Sequence, residues 1–312
     1  MKNKVAMATV SGSVPLKVFQ LTSLTHLDLN NNALKELPHE IGDLTKLTYL
    51  SVFSNALTKL PSSIGNLTDL TEFHLTYNAL TGLPSEIGNL TSLTTLNLAG
   101  NALEEFPRRI GDLTSLTTLD LSDNALKELP ASIGNLTSLK EFALNYNALK
   151  ELPASIGNLT SLEEFALNYN ALTGLPSKIG NLTSLTHLTM SHNKLTTLPA
   201  EIGKLVSLEL LSVDNNAITT LPTEICELVS LEYLFVDNNA ITTLSTDIGG
   251  LTLLKELDVS KNQLTKLPAS IGQMTLLENL NFDYNPMEIS PLTSLQSLHL
   301  RHNDELVADT DD

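Results

Sequence analysis

A single cysteine, Cys226, stands in 312 residues, so no disulfide framework holds the chain together, and a reducing compartment is the simpler setting. Basic residues are scarce: 18 Lys and Arg face 35 Asp and Glu, a formal charge of −17. That field repels phosphate backbones and anionic lipid, which argues against a nucleic-acid or membrane partner. No run of ~18 apolar residues occurs, so no membrane-spanning helix is expected. The opening MKNKVAMATVSGSV is broken by Thr9, Ser11, Gly12 and Ser13 and makes a poor hydrophobic segment for secretion. A cytoplasmic protein is therefore expected. Neither a phosphate-binding loop nor G-x-G-x-x-G is present, which leaves nucleotide chemistry without a site. Cys226 has no histidine in its own stretch to act as a base. His187 and His192 lack further ligands at metal-site spacing. The expectation is a protein that is not an enzyme, with no catalytic residue, no metal and no cofactor.

What the chain has instead is repetition. LTSLKEFALNYNALKELPASIGN, residues 136–158, is followed by LTSLEEFALNYNALTGLPSKIGN, residues 159–181, and 18 of the 23 positions agree. Units of 23 residues open at Leu21, Leu44, Leu67 and so on to Leu251; Met274 opens a shortened one and Leu292 a truncated one. Thirteen repeats thus fill residues 21–303. Residues 1–20 read as a degenerate N-terminal cap, with Val14-Pro15 in the place of Leu37-Pro38, and residues 304–312 as an acidic C-terminal tail.

Each unit follows L-x-x-L-x-L-x-x-N-x-L-x-x-L-P-x-x-I-G-x-L, as in Leu24, Leu27, Leu29, Asn32, Leu34, Leu37, Pro38, Ile41, Gly42 and Leu44. The x-L-x-L-x segment alternates with period two and predicts a short strand, centred for example on Leu27–Leu29 and near Leu144. Proline followed by glycine predicts one 3₁₀ or α turn. One unit cannot bury its leucines alone, but stacked units can, and the recurring asparagine predicts an interior ladder that satisfies backbone groups. The fold class expected is α/β: a curved right-handed solenoid with a parallel sheet on its concave face and short turns on its convex face.

The five differences between the two quoted units fall at x positions, which are surface. Strand positions on the concave face are the x residues around L-x-L and the two before the asparagine. All six tyrosines lie there (Tyr49, Tyr77, Tyr146, Tyr169, Tyr233, Tyr284), with Phe53, Phe235, His26, His74, His187, His192, His299 and His302. Aromatic side chains on a rigid sheet are candidate binding anchors. The same face, with the x residue before it, carries 15 acids against four bases, Asp214, Asp237, Asp258 and Asp283 among them. An acidic face steers a basic partner. The expected partner is a protein with a basic surface, bound by a monomer.

The repeat pattern resembles the leucine-rich repeat proteins, and its L-P-x-x-I-G-x-L segment is similar to the intracellular 23-residue class of Ras-pathway scaffolds, plant Ras-group-related proteins, Scribble and Erbin. The resemblance implies a scaffold or recognition adaptor in signalling or adhesion, with the concave face as the contact. Phrases such as NALTGLPSEIGNLTSL also echo the plant receptor type, so a secreted or surface-exposed ligand-binding protein is the alternative.

Overall fold

A computed structural model describes residues 4–6, 12 and 14–286. His299, His302, the truncated repeat from Leu292 and the acidic tail lie outside the described residues. The chain divides into two compact units, Met1–Leu162 and Glu163–Asp312. The first carries β1 (Lys4–Ala6), β2 (His26–Asp28), β3 (Tyr49–Ser51), β4 (Glu72–His74), β5 (Thr95–Asn97), β6 (Thr118–Asp120) and β7 (Glu141–Ala143). The second carries β8 (Glu164–Ala166), β9 (His187–Thr189), β10 (Leu210–Ser212), β11 (Tyr233–Phe235), β12 (Glu256–Asp258) and β13 (Asn279–Asn281). Within each unit every strand pairs in parallel with the next, at a register of 23 from β2 onward, as in His26 with Tyr49 and His187 with Leu210. The sheets are open and curved, with 3₁₀ turns behind them, as the repeat pattern implies.

The strands are shorter than the alternation suggests. Leu27 is the centre of β2, whereas Leu29 and Leu144 lie beyond their strands. Pairing nevertheless continues past β2, because Leu29 N–H donates to the Ser51 carbonyl at 2.8 Å. What ends the strand is a left-handed residue just before each asparagine, such as Asn31 at φ 57° and Ser54 at φ 53°.

On the turn side all the return segments are 3₁₀, five residues long except for Ile248–Gly250. Proline stands one residue ahead of the turn, in extended backbone (Pro38 φ −71°, ψ 159°). It has no N–H to leave unpaired, and its carbonyl accepts from Ile41 N–H at 3.1 Å. The core is the leucine and isoleucine framework, with Leu27, Ile41, Leu44 and Leu47 at 0% exposure. Burying each such side chain contributes about 1.5–3 kcal/mol.

The asparagine ladder is present and directional. Asn55 Nδ2 donates to the Leu29 carbonyl of the preceding coil and to Val52 of its own, both at 2.9 Å. Its Oδ1 accepts from the N–H groups of Asn32 and Leu34, again in the preceding coil. Asn78, Asn101 and Asn124 repeat this in the first unit, and Asn216, Asn239 and Asn262 in the second. In residues 1–20, β1 pairs with β2, and Leu16–Gln20 forms a 3₁₀ turn that buries Val18 and Phe19.

Candidate functional site

The candidate residues fall in two classes by backbone. Tyr49, His187, Tyr233, Phe235 and Asp258 lie on strands, half-buried between neighbours that alternate with buried leucines. Tyr77, Tyr146, Tyr169, His192 and Tyr284 occupy the left-handed position that ends the strand, with φ of 53–59°. Bulky residues rarely adopt that region, where Asn, Asp and Gly are enriched. The same row holds Asn31, Gly100, Asp123, Asn215 and Asn238, a pattern that carries the signal for a left-handed turn. The sequence pattern alone placed these tyrosines on the sheet; they stand instead on the rim where the chain leaves it.

Exposure follows from that placement. Tyr77 is 58% exposed, Tyr146 54%, Tyr169 42% and Tyr284 50%. In the first unit, Tyr49 lies between His26 and His74, with ring centroids 5.8 and 5.4 Å away. Phe53 meets Tyr77 edge-on at 5.6 Å. The Tyr77 ring lies over Gly100, where an added Cβ would sit 2.4 Å from the ring. In the second unit Tyr169 stacks on His192 at 4.1 Å and 11°. Rows one coil apart therefore build rigid aromatic shelves.

The acids are less free than their count implies. Burial would raise the Asp214 carboxyl, but the hydroxyls of Ser191 and Ser212 and the Asn215 amide outweigh it and hold it below its ordinary value. Asp237 goes the other way, to about 6, because it is half-buried and faces the carboxylates of Asp258 and Asp214. Asp258 accepts from Ser260 N–H and from the Asn281 amide, each at 2.9 Å. Asp283, expected on the surface, is only 8% exposed, whereas Asp214 and Asp237 at the same position of their coils are half-buried. At that burial its side chain offers little surface to a partner.

Cys226 is half-buried, and burial first, then the Asp247 and Glu227 carboxylates, push its thiol upward against a hydrogen bond from Ser245. A raised thiol is a poor nucleophile. Among the described residues no group of three or more His, Cys, Asp or Glu is placed to hold a metal ion, and no helix is long and apolar enough to cross a membrane. Hollows on the turn face, such as that edged by Leu83, Phe106, Pro107 and Leu129, are notches between successive coils.

Comparison with known proteins agrees with this geometry. A family profile described as a leucine-rich repeat region matches residues 9–101, 85–177, 175–241 and 223–310. A leucine-rich repeat protein of Leptospira interrogans superposes with TM-score 0.81 at 36% identity, over 89% of this chain and 77% of that one. An internalin from Listeria monocytogenes gives TM-score 0.68 at 26% identity, over 92% and 88% of the two chains. The plant peptide hormone receptor RGFR1, solved in complex with RGF2, gives 0.54 at 28%, over 91% of this chain and 58% of that one. No curated protein sequence matches significantly.

Proposed function

The chain belongs to the leucine-rich repeat family, and from that premise we propose that it is a non-enzymatic protein-recognition module, a scaffold or adaptor, that grips its partner along the strand-end rim. The observation that carries this reading is the row of exposed tyrosines in left-handed backbone. Holding a bulky side chain there costs of order 1 kcal/mol or more, and such outliers concentrate where a surface is used. A receptor of similar fold is named as holding a peptide hormone, which supports a polypeptide ligand. The partner is basic, drawn by Asp214, Asp237 and Asp258, while Tyr49, Phe53, Tyr77, Tyr146, Tyr169, His187, His192, Tyr233, Phe235 and Tyr284 supply anchors. The module acts as a monomer in the cytoplasm, with residues 1–20 closing the first leucine coil as a cap.

Affinity capture from native lysate tests the reading. Tyr169→Ala/His192→Ala removes one stacked pair, and Arg108→Ala/Arg109→Ala alters the turn face as a control. The tyrosine–histidine pair is expected to lose at least ~2 kcal/mol of partner binding at an unchanged unfolding midpoint. Wild-type binding by that pair, with loss in the arginine pair, assigns recognition to the turn face and ends the proposal.

A further inference from the structure

At the opposite edge of the sheet, where the chain enters each strand, the second unit changes character. The two residues after the coil-opening leucine are Thr45-Lys46, Thr68-Asp69, Thr91-Ser92 and Thr114-Ser115 in the first unit. Four successive coils of the second unit replace one of the pair by an aliphatic residue: Val206, Val229, Leu253 and Leu276. These side chains do not turn inward to fill the core. They are 49%, 57%, 42% and 47% exposed, while Leu208, Leu231 and Leu254 beside them are fully buried. Exposed aliphatic residues are ordinary when scattered; here Val206 and Val229 share one row in adjacent coils and Leu253 and Leu276 share the row one residue further on, two pairs each ~4.8 Å apart that make a stepped stripe.

The border of the stripe is charged, at a position that is threonine in most other coils and leaves it only at Lys140 and Glu163 before the stripe begins. The position just before the strand is threonine through Thr25, Thr48, Thr71, Thr94 and Thr117, and from Thr48 onward each hydroxyl donates to the carbonyl of the threonine one coil back. Beside the stripe that position becomes Glu209, Glu232, Lys255 and Glu278. Lys255 is taken up by Glu232, 2.6 Å away, which leaves Glu209 and Glu278 exposed. On the turn side the stripe meets Lys204 and Glu227, which offset each other. The stripe is therefore apolar with a net acidic border.

We propose that Val206, Val229, Leu253 and Leu276 form a second docking edge, occupied by a basic amphipathic polypeptide segment whose aliphatic side chains cover the stripe while its lysines or arginines meet Glu209 and Glu278. Charge complementarity selects this occupant: an acidic border repels an anionic lipid surface, and a second copy of a chain of charge −17 would bring like charge against it. This edge is separate from the tyrosine rim, so either can hold or fail without the other.

The test uses the full chain and a short labelled peptide in which leucine alternates with lysine, against one in which leucine alternates with glutamate, read by fluorescence anisotropy. Val229→Thr/Leu253→Ser installs residues that other coils carry at these positions and leaves the net charge unchanged. The wild type is expected to bind the lysine peptide only, and the Thr/Ser variant to bind it about tenfold more weakly at an unchanged melting midpoint. Glu209→Gln/Glu278→Gln is expected to flatten the salt dependence, and the turn-face pair Arg108→Ala/Arg109→Ala to bind as wild type. Equal binding of both peptides, or undiminished binding by the Thr/Ser variant, overturns the proposal. So does a sedimentation mass that doubles for wild type and not for the variant, which makes the occupant a second copy. Stripe-dependent binding to phosphatidylcholine vesicles in place of the peptide overturns it in favour of a lipid surface.

Discussion

Two rows recur once per coil and obey opposite rules. Just before the asparagine the backbone is left-handed from Asn31 to Tyr284, yet glycine fills the row only at Gly100. In the 3₁₀ turn the glycines have ordinary negative φ, yet among the described residues the residue changes only at Phe19 of the degenerate first turn and at Cys226. The reason lies in the neighbour, not the dihedral. A Cβ on Gly42, Gly65, Gly88, Gly111, Gly134, Gly180, Gly203 or Gly249 would stand 2.3–2.7 Å from a carbonyl oxygen of the next coil. Away from Gly100, whose space the Tyr77 ring fills, the left-handed row faces solvent, so no neighbouring backbone excludes a side chain there. Where Cys226 breaks the glycine rule, the next coil gives way: Ser245 replaces proline and the turn shrinks to Ile248–Gly250.

The largest effect that can break this contrast is Gly203→Ala, whose Cβ would meet the Glu224 carbonyl at 2.4 Å. It is expected to cost about 3 kcal/mol, while Cys226→Ala, in a coil already adjusted, stays within about 1 kcal/mol. Urea midpoints for the two in parallel decide it, and equal losses would mean the row is not set by close approach. Next is the clamp. Asn124→Ala leaves the Leu103 N–H and the Leu98 and Leu121 carbonyls without their side-chain partner. The expected cost is about 1–3 kcal/mol, with faster amide exchange at Leu103.

A third measurement concerns Asp237, one residue before the left-handed row. Its folded value near 6 lies above its ordinary 3.8, so the folded state holds the proton more tightly. Stability therefore falls as pH rises from about 4 through 6, by about 1 kcal/mol once its half exposure is allowed for. Asp237→Asn should flatten that decline, and calorimetry across the window reads it directly. The smallest effect is at the open row: Asp123→Gly should change stability by no more than about 0.5 kcal/mol, with any shift upward because the strained Cβ is gone.

The 23-residue period, the parallel strands and the asparagine ladder were legible because packing repeats the same residues at the same spacing. Why glycine recurs was not: a glycine in sequence reads as a turn end, and only the distance to the next coil shows that it makes room. The tyrosine rim was half legible. Its exposed character showed in the variability of its row, but its left-handed backbone was hidden by four tyrosines standing where Asn and Gly are usual. Asp283 was misread because a charged residue at a surface position says nothing of how its coil is covered. The stripe from Val206 to Leu276 was passed over since valine and leucine in this chain look like more framework.

The asparagine ladder points one way along the chain, and that has a consequence for how the protein is made. Each side chain reaches back, Asn78 to Val52 and Leu57, Asn101 to Leu75 and Leu80, so the N–H two residues after each ladder asparagine is satisfied by the asparagine of the next coil. The ribosome delivers coils in the same order. At about 5–20 residues per second each nascent coil waits roughly one to five seconds for the residue that locks it. During synthesis the latch of each coil is thus the last of its parts to be delivered, and the coil at the growing end is the one still without it.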